Sequence, residues 1–121
     1  MSAWYNNGMN FDEYQREIKK FDAFKQSSDP VDPAFVVKIL GLSGEAGEVT
    51  EKFKKVIRDG NGKLDEESKQ EIVKEMGDVL WYLATISRYM DVPFSEVAER
   101  NIEKLSGRLE RGTIHGRGDN R

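Results

Sequence analysis

The sequence predicts an all-α protein, an antiparallel bundle of about four helices. Three observations carry this. Apolar residues recur in long runs of alternating threes and fours, the spacing of one helix face. Prolines and Gly/Asn/Ser clusters fall between those runs rather than inside them. No segment of any length alternates with period two, so no strand is predicted.

The first helix is placed at 11–25. Asn10 is its N-cap and Glu13 completes a capping-box pattern. Phe11, Tyr14, Ile18 and Phe21 form one face. Asp32 followed by Pro33 is a cap with proline at the first helical position, and it opens a second helix at 33–59. Its seam is Phe35, Ile39, Leu42, Ala46, Val49, Phe53 and Val56. Gly60 to Lys63 make a turn, and Asp65 caps a third helix at 66–90 with the seam Ile72, Met76, Val79, Leu83, Ile86 and Met90. Asp91-Val92-Pro93 breaks it. A fourth helix at 94–111 uses Ala98, Ile102, Leu105 and Leu109, and the tail 112–121 reads as irregular.

At 121 residues the chain is expected to be one domain, 1–121. Leu, Ile, Val and Phe number 29, above the roughly one-fifth below which disorder is the better expectation. The core is nevertheless lean, because 34% of residues are charged. A homodimer or homotetramer would relieve the shortage. A net charge of −3 rules out a global basic field, so no nucleic-acid partner is expected. No run of 18 apolar residues exists, so no membrane partner is expected either. Met1 to Asn7 lack a basic start and an apolar stretch, so no signal peptide is expected. The absence of cysteine excludes disulfides, zinc–thiolate sites and cysteine nucleophiles and fits a cytoplasmic location.

The chemistry lies beside the seams. At about 100° per residue, with Leu42 as zero, Glu45 falls at about −60° and Glu48 at about −120°. With Val79 as zero, Glu75 falls at about −40°, Asp78 at about −100° and Tyr82 at about −60° on the same convention. Antiparallel helices that face each other are related by a two-fold perpendicular to their axes, which brings same-side flanks to one edge. Counted from the intervening turn, the two pairs differ in level by only about 3 Å. Four carboxylates so placed repel one another unless cations neutralise them. Oxygen-only ligands select a hard cation, Mg²⁺ or Mn²⁺. Either pair alone is an ordinary solvated face; the coincidence of side and level is the signal. On the fourth helix Asn101, Lys104, Arg108 and Arg111 form a stripe on the same flank, suited to the remaining charge of a polyphosphate if that helix packs against the third.

Glu45-Ala46-Gly47-Glu48 followed on the next helix by Glu75-Met76-Gly77-Asp78 resembles the ExxE…ExxD signature of the MazG-like, all-α nucleoside triphosphate pyrophosphohydrolases. The flanking Gly41-Leu42-Ser43-Gly44, Val79-Leu80-Trp81-Tyr82-Leu83 and Asn101-Ile102-Glu103-Lys104-Leu105 with Arg108 match as well, covering roughly 35–111. The resemblance implies Mg²⁺-dependent cleavage of a nucleoside triphosphate to the monophosphate and pyrophosphate. Glu45, Glu48, Glu75 and Asp78 would hold the metal, with Glu48 the favoured base toward a metal-bound water. Lys104 and Arg108 would contact phosphates, Asn101 would lie near metal or sugar, and Tyr82 would stack on base or sugar. Trp81, at about 200° from the seam, is expected outside that pocket, against a second subunit. The family also implies dimers or tetramers. Gly41, Gly44 and Gly47 fit close helix approach, between or within chains.

Two other functions stay open. One is a dUTP/dCTP-specialised pyrophosphatase. The other is a non-catalytic interaction module whose carboxylates hold a structural cation. Asp59 to Asp65 imitates the start of a calcium loop but has Leu64 at its sixth position and Gln70 at its twelfth. His115, the one histidine, rules out the paired Glu-x-x-His motifs of a di-iron bundle.

Overall fold

The computed structural model describes residues 8–121; the signal-peptide expectation for Met1–Asn7 lies outside the described residues. Four α-helices appear and, among the described residues, no strand: α1 (Phe11–Ile18), α2 (Pro33–Asp59), α3 (Glu66–Tyr89) and α4 (Phe94–Glu110). The all-α expectation holds, and three of the helices begin and end within a residue of their predicted limits.

The caps form as the sequence dictates. Asn10 Oδ1 accepts the Glu13 N–H at 2.9 Å while Glu13 accepts the Asn10 N–H at 3.1 Å. Asp32 and Asp65 accept N–H groups of Ala34 and Ser68, each at 2.8 Å. Gly60 closes α2, and the reversal into α3 passes through Asn61 and Gly62, both with positive φ.

The first helix is the exception. In place of one helix over 11–25, α1 stops at Ile18, a 3₁₀ turn spans Lys19–Phe21, and Asp22 is extended. Asp22 causes this. Its carboxylate accepts the Phe24 N–H at 3.0 Å, a local side-chain bond that competes with helix continuation. It is also held by three side chains from other elements: Lys38 Nζ at 2.9 Å, Arg88 Nη2 at 3.0 Å and Tyr89 Oη at 2.5 Å.

α2 and α3 form the antiparallel hairpin that frames the site. α1 and the start of α4 pack on the far end of α3. There Ile18, Ala84 and Phe94 form one core cluster, flanked by Tyr14, Leu80 and Trp81. Ala34, Phe35 and Tyr89, flanked by Ile86, form another. Polar contacts dock α1: Gln15 donates to the carbonyls of Ala84 and Val92 and accepts the Phe94 N–H, and Asp12 accepts from Ser95.

Among the described residues, the rest of the hairpin has no such cover. Ala46, Val49, Met76, Val79, Leu80 and Leu83, mostly seam residues, line an apolar groove instead of a sealed interior. Met76 is 55% exposed, and Ile102, Leu105 and Leu109 of α4 are exposed as well. The seam periodicity is as predicted, but the described residues do not bury all of it.

Candidate active site

The two-fold argument brings three of its four carboxylates together. Glu45 on α2 and Glu75 and Asp78 on α3 each offer an oxygen, all within 4.8 Å of one another. Glu45 and Glu75 are half-buried and Asp78 is exposed. Glu48, one turn further along α2, is exposed and stands outside this trio. Its charge still reaches it. Burial, and then the charges of Asp78, Glu75 and Glu48, push the Glu45 carboxyl above its ordinary value. Three converging carboxylates with oxygen-only chemistry fit a hard divalent ion. Lys52, one turn past Glu48, supplies part of the counter-charge, at 3.7 Å from Glu75 and 3.6 Å from Glu71.

Beside the carboxylates opens a cavity of 390 Å³ lined by Phe21, Glu45, Asp78, Trp81 and Tyr82. Tyr82 lines this cavity with Asp78, and the structure explains Gly41. A Cβ at that position would lie 2.2 Å from Tyr82 Cε1, so glycine makes room for the ring against α2. Gly41 therefore serves close approach within the chain. Gly44 and Gly47 face open space among the described residues.

Trp81 corrects the expectation that it lies outside this pocket. It lines the cavity and meets Tyr82 edge to face at 5.0 Å and 82°. The angle itself is consistent with this: about 200° in one sense is about 160° in the other, about 60° beyond Asp78. The sequence pattern also gives no role in the site to Phe21, Asp22, Lys38 or Lys52. Lys38 lies seven residues before Glu45, two turns down the same α2 flank. It is buried under the rings of Phe24, Tyr89 and Trp81 at 4.6, 5.5 and 5.9 Å.

Within one chain the basic stripe of α4 stands apart from the carboxylates. α4 meets α3 near Phe94 and then runs out with Asn101 and Lys104 exposed, and no α4 residue lines the aromatic cavity. Lys104 and Arg108 instead hold the tail. Arg108 Nη2 donates to the Asp119 carbonyl at 2.8 Å and to its carboxylate at 3.0 Å, and Lys104 Nζ is 3.5 Å from the same carboxylate. The Arg108 hydrogen bond and the Lys104 charge hold Asp119 below the usual carboxylate range. Arg121 folds the tail further by donating to the Thr113 and Ile114 carbonyls.

Residues 37–112, a span holding the carboxylate trio, Trp81, Tyr82 and the basic stripe, match the MazG nucleotide pyrophosphohydrolase domain. The chain belongs to the MazG family. This MazG chain is also similar to the Gene 37 protein of Mycobacterium phage L5, 46% identical over 82 residues, which are 68% of this chain and 72% of that protein. No solved structure matches it. MazG domains typically depend on divalent cations, and the acidic trio has the ligand chemistry for one. Among the described residues, no helix of this MazG chain is long and apolar enough to cross a membrane.

Proposed function

We propose that this chain, as one domain over 1–121, is a cytoplasmic Mg²⁺-dependent pyrophosphohydrolase. It cleaves the α–β anhydride of nucleoside triphosphates with water, yielding the monophosphate and pyrophosphate, and clears non-standard or surplus nucleotides. Mn²⁺ substitutes for Mg²⁺. The observation that carries this reading is the convergence of Glu45, Glu75 and Asp78 within 4.8 Å, inside the MazG-matched span.

Glu45, Glu75 and Asp78 hold the ion, with Glu48 joining from the next turn of α2. Once bound, Mg²⁺ acidifies water and neutralises phosphate charge. Glu48 is exposed and outside the tight trio; joining the ion through one carboxylate oxygen, it would keep the other to take the proton from the attacking water. Tyr82, packed on Gly41, stacks against the base or sugar. Asn101, Lys104 and Arg108 serve the phosphates. Because they lie away from their own chain's carboxylates, they act from a second copy in a homodimer or homotetramer. The open apolar groove between α2 and α3 is the surface such a copy covers.

The test is a panel of NTPs and dNTPs with Mg²⁺ or Mn²⁺, scored for monophosphate and pyrophosphate. Turnover that falls roughly 100-fold in Glu48→Gln and in Asp78→Asn, with helicity intact, supports the reading. Turnover confined to dUTP or dCTP selects the specialised form. No turnover with any nucleotide favours the interaction module, and undiminished activity in both variants refutes the assigned site.

A further inference from the structure

The cavity beside the carboxylates has two unlike walls. One is acidic: Glu45 and Asp78, next to Glu75. The other is aromatic: Phe21, Trp81 and Tyr82. A ligand satisfying both carries cation-bridged anionic groups at one end and a flat apolar ring at the other. Trp81 and Tyr82 lie within the MazG-matched residues 37–112, and Phe21 lies outside them. It is 67% exposed and belongs to no core cluster.

Its position is nevertheless fixed from the adjacent residue. The Asp22 carboxylate is 2% exposed and is bound by Lys38 on α2 and by Arg88 and Tyr89 on α3. The Phe24 N–H bonds the same group. Farther along, Gln26 donates to the Arg88 carbonyl at 3.0 Å and accepts from Arg88 Nη1 at 2.9 Å. Lys38 ties both sides of the arrangement, pairing with Asp22 while its ammonium lies over Trp81. The segment before the family domain is thus pinned to the two helices that carry the carboxylates, and Phe21 is the residue it delivers to their cavity.

Resting on the pyrophosphohydrolase reading, we infer that Phe21 is a specificity-determining residue that completes, with Trp81 and Tyr82, an aromatic wall reading the nucleobase, and that Asp22 is its positioning residue. Every base has a π-face, so the wall adds affinity to any nucleoside triphosphate and none to a bare polyphosphate. Discrimination among bases comes from how well each fills the space between Phe21 and Trp81.

The experiment compares nucleoside triphosphates with inorganic tripolyphosphate. In a Trp4→Phe background Trp81 is the one tryptophan, and its fluorescence reports occupancy of the cavity. Wild-type, Phe21→Ala and Phe21→Tyr proteins are titrated with α,β-methylene analogues of the dNTPs, and with tripolyphosphate as competitor, all with Mg²⁺. Phe21→Ala is expected to weaken analogue binding about tenfold and to narrow the spread among bases. Its tripolyphosphate affinity should stay within about twofold of wild type, and Phe21→Tyr should restore analogue binding. The same Phe21→Ala protein should show a raised KM at unchanged kcat.

Analogue binding unaffected by Phe21→Ala overturns the inference. So does an equal loss for tripolyphosphate, and so does a Trp81 signal that no nucleotide changes. Binding by the analogues without any turnover of natural nucleotides refutes the catalytic reading while leaving the wall intact, so the two failures are distinguishable.

Discussion

Asp22→Asn is the most informative perturbation of the fold, because it removes one charge and almost no volume from a buried network. The wild-type carboxylate faces two cations, Lys38 at 2.9 Å and Arg88 at 3.0 Å, and accepts the Tyr89 hydroxyl at 2.5 Å. The Lys38 side chain is 3% exposed, so on losing its counter-ion it must remain charged among aromatic rings or give up its proton. Removing one partner of a buried pair costs about 3–5 kcal/mol. At about 2.1 cal/mol/K of unfolding entropy per residue, 121 residues give about 0.25 kcal/mol/K, so the midpoint should fall by about 12–20 °C. The assay is thermal and urea denaturation followed by far-ultraviolet circular dichroism, at fixed protein concentration. Adding Lys38→Met should recover much of the loss, since the second change removes the stranded charge. The sign of the pH dependence is fixed too. Burial raises the Asp22 carboxyl, but hydrogen bonds from Tyr89, Lys38 and the Phe24 N–H outweigh it, so the folded pKa lies below the ordinary 3.8. Its stabilisation is complete above about that pH and disappears as pH falls through the folded value. The gap between wild type and variant should therefore be full-sized at neutral pH and close below pH 3.8. A midpoint shift under about 4 °C, or a gap that does not narrow in acid, would refute the reasoning.

Gly41→Ala should gain up to about 1 kcal/mol of helix propensity but displace the Tyr82 ring, which the new Cβ would meet at 2.2 Å. The expected outcome is near-unchanged thermal stability with a several-fold rise in KM for nucleotides. Met76→Glu and Leu83→Lys place charge on the apolar groove between α2 and α3; light scattering should then report a smaller assembly than wild type, with far-ultraviolet helicity retained. Asp119→Asn removes the carboxylate charge that faces Lys104 and Arg108, while Arg108 keeps its bond to the backbone carbonyl at that position, and calorimetry should find pyrophosphate bound more tightly than by wild type.

What can be read from the sequence follows the range of the interactions involved. Caps and seams depend on residues three or four apart, so α2, α3 and α4 are placed nearly to the residue. The carboxylate trio depends on two helices joined by a short turn, where register is a matter of counting, and it too is legible. The end of α1 is not. It is set by Asp22 answering to Lys38, Arg88 and Tyr89, partners 16 to 67 positions away that no local pattern announces. Phe21 is visible as one more apolar position on the first helix, but its delivery to the cavity needs the helix to stop there. The direction of α4 is another case. Its basic stripe follows from helical spacing, yet whether that stripe meets the carboxylates depends on how far α3 and α4 stay together beyond Phe94.

Two irregularities of the single chain share one physical origin. The seam of α2 and α3 is long enough for a bundle, but α1 and α4 cover only its far end, near Ile18, Ala84 and Phe94. The apolar groove and the separation of Lys104 and Arg108 from the acidic trio follow from that same divergence. Had α4 continued along α3, it would have covered the groove and carried the basic stripe toward the carboxylates. A second copy laid on the groove addresses both at once, since it buries the open seam and brings another α4 to the site. Covering the groove alone would need only apolar contact, and pairing the charges alone would need only a local cation such as Lys52. Under the proposed function, the joint requirement ties activity to assembly. Activity should therefore fall together with assembly in Met76→Glu, although Met76 belongs neither to the carboxylate trio nor to the aromatic wall. Full activity from a monodisperse monomer would break that link.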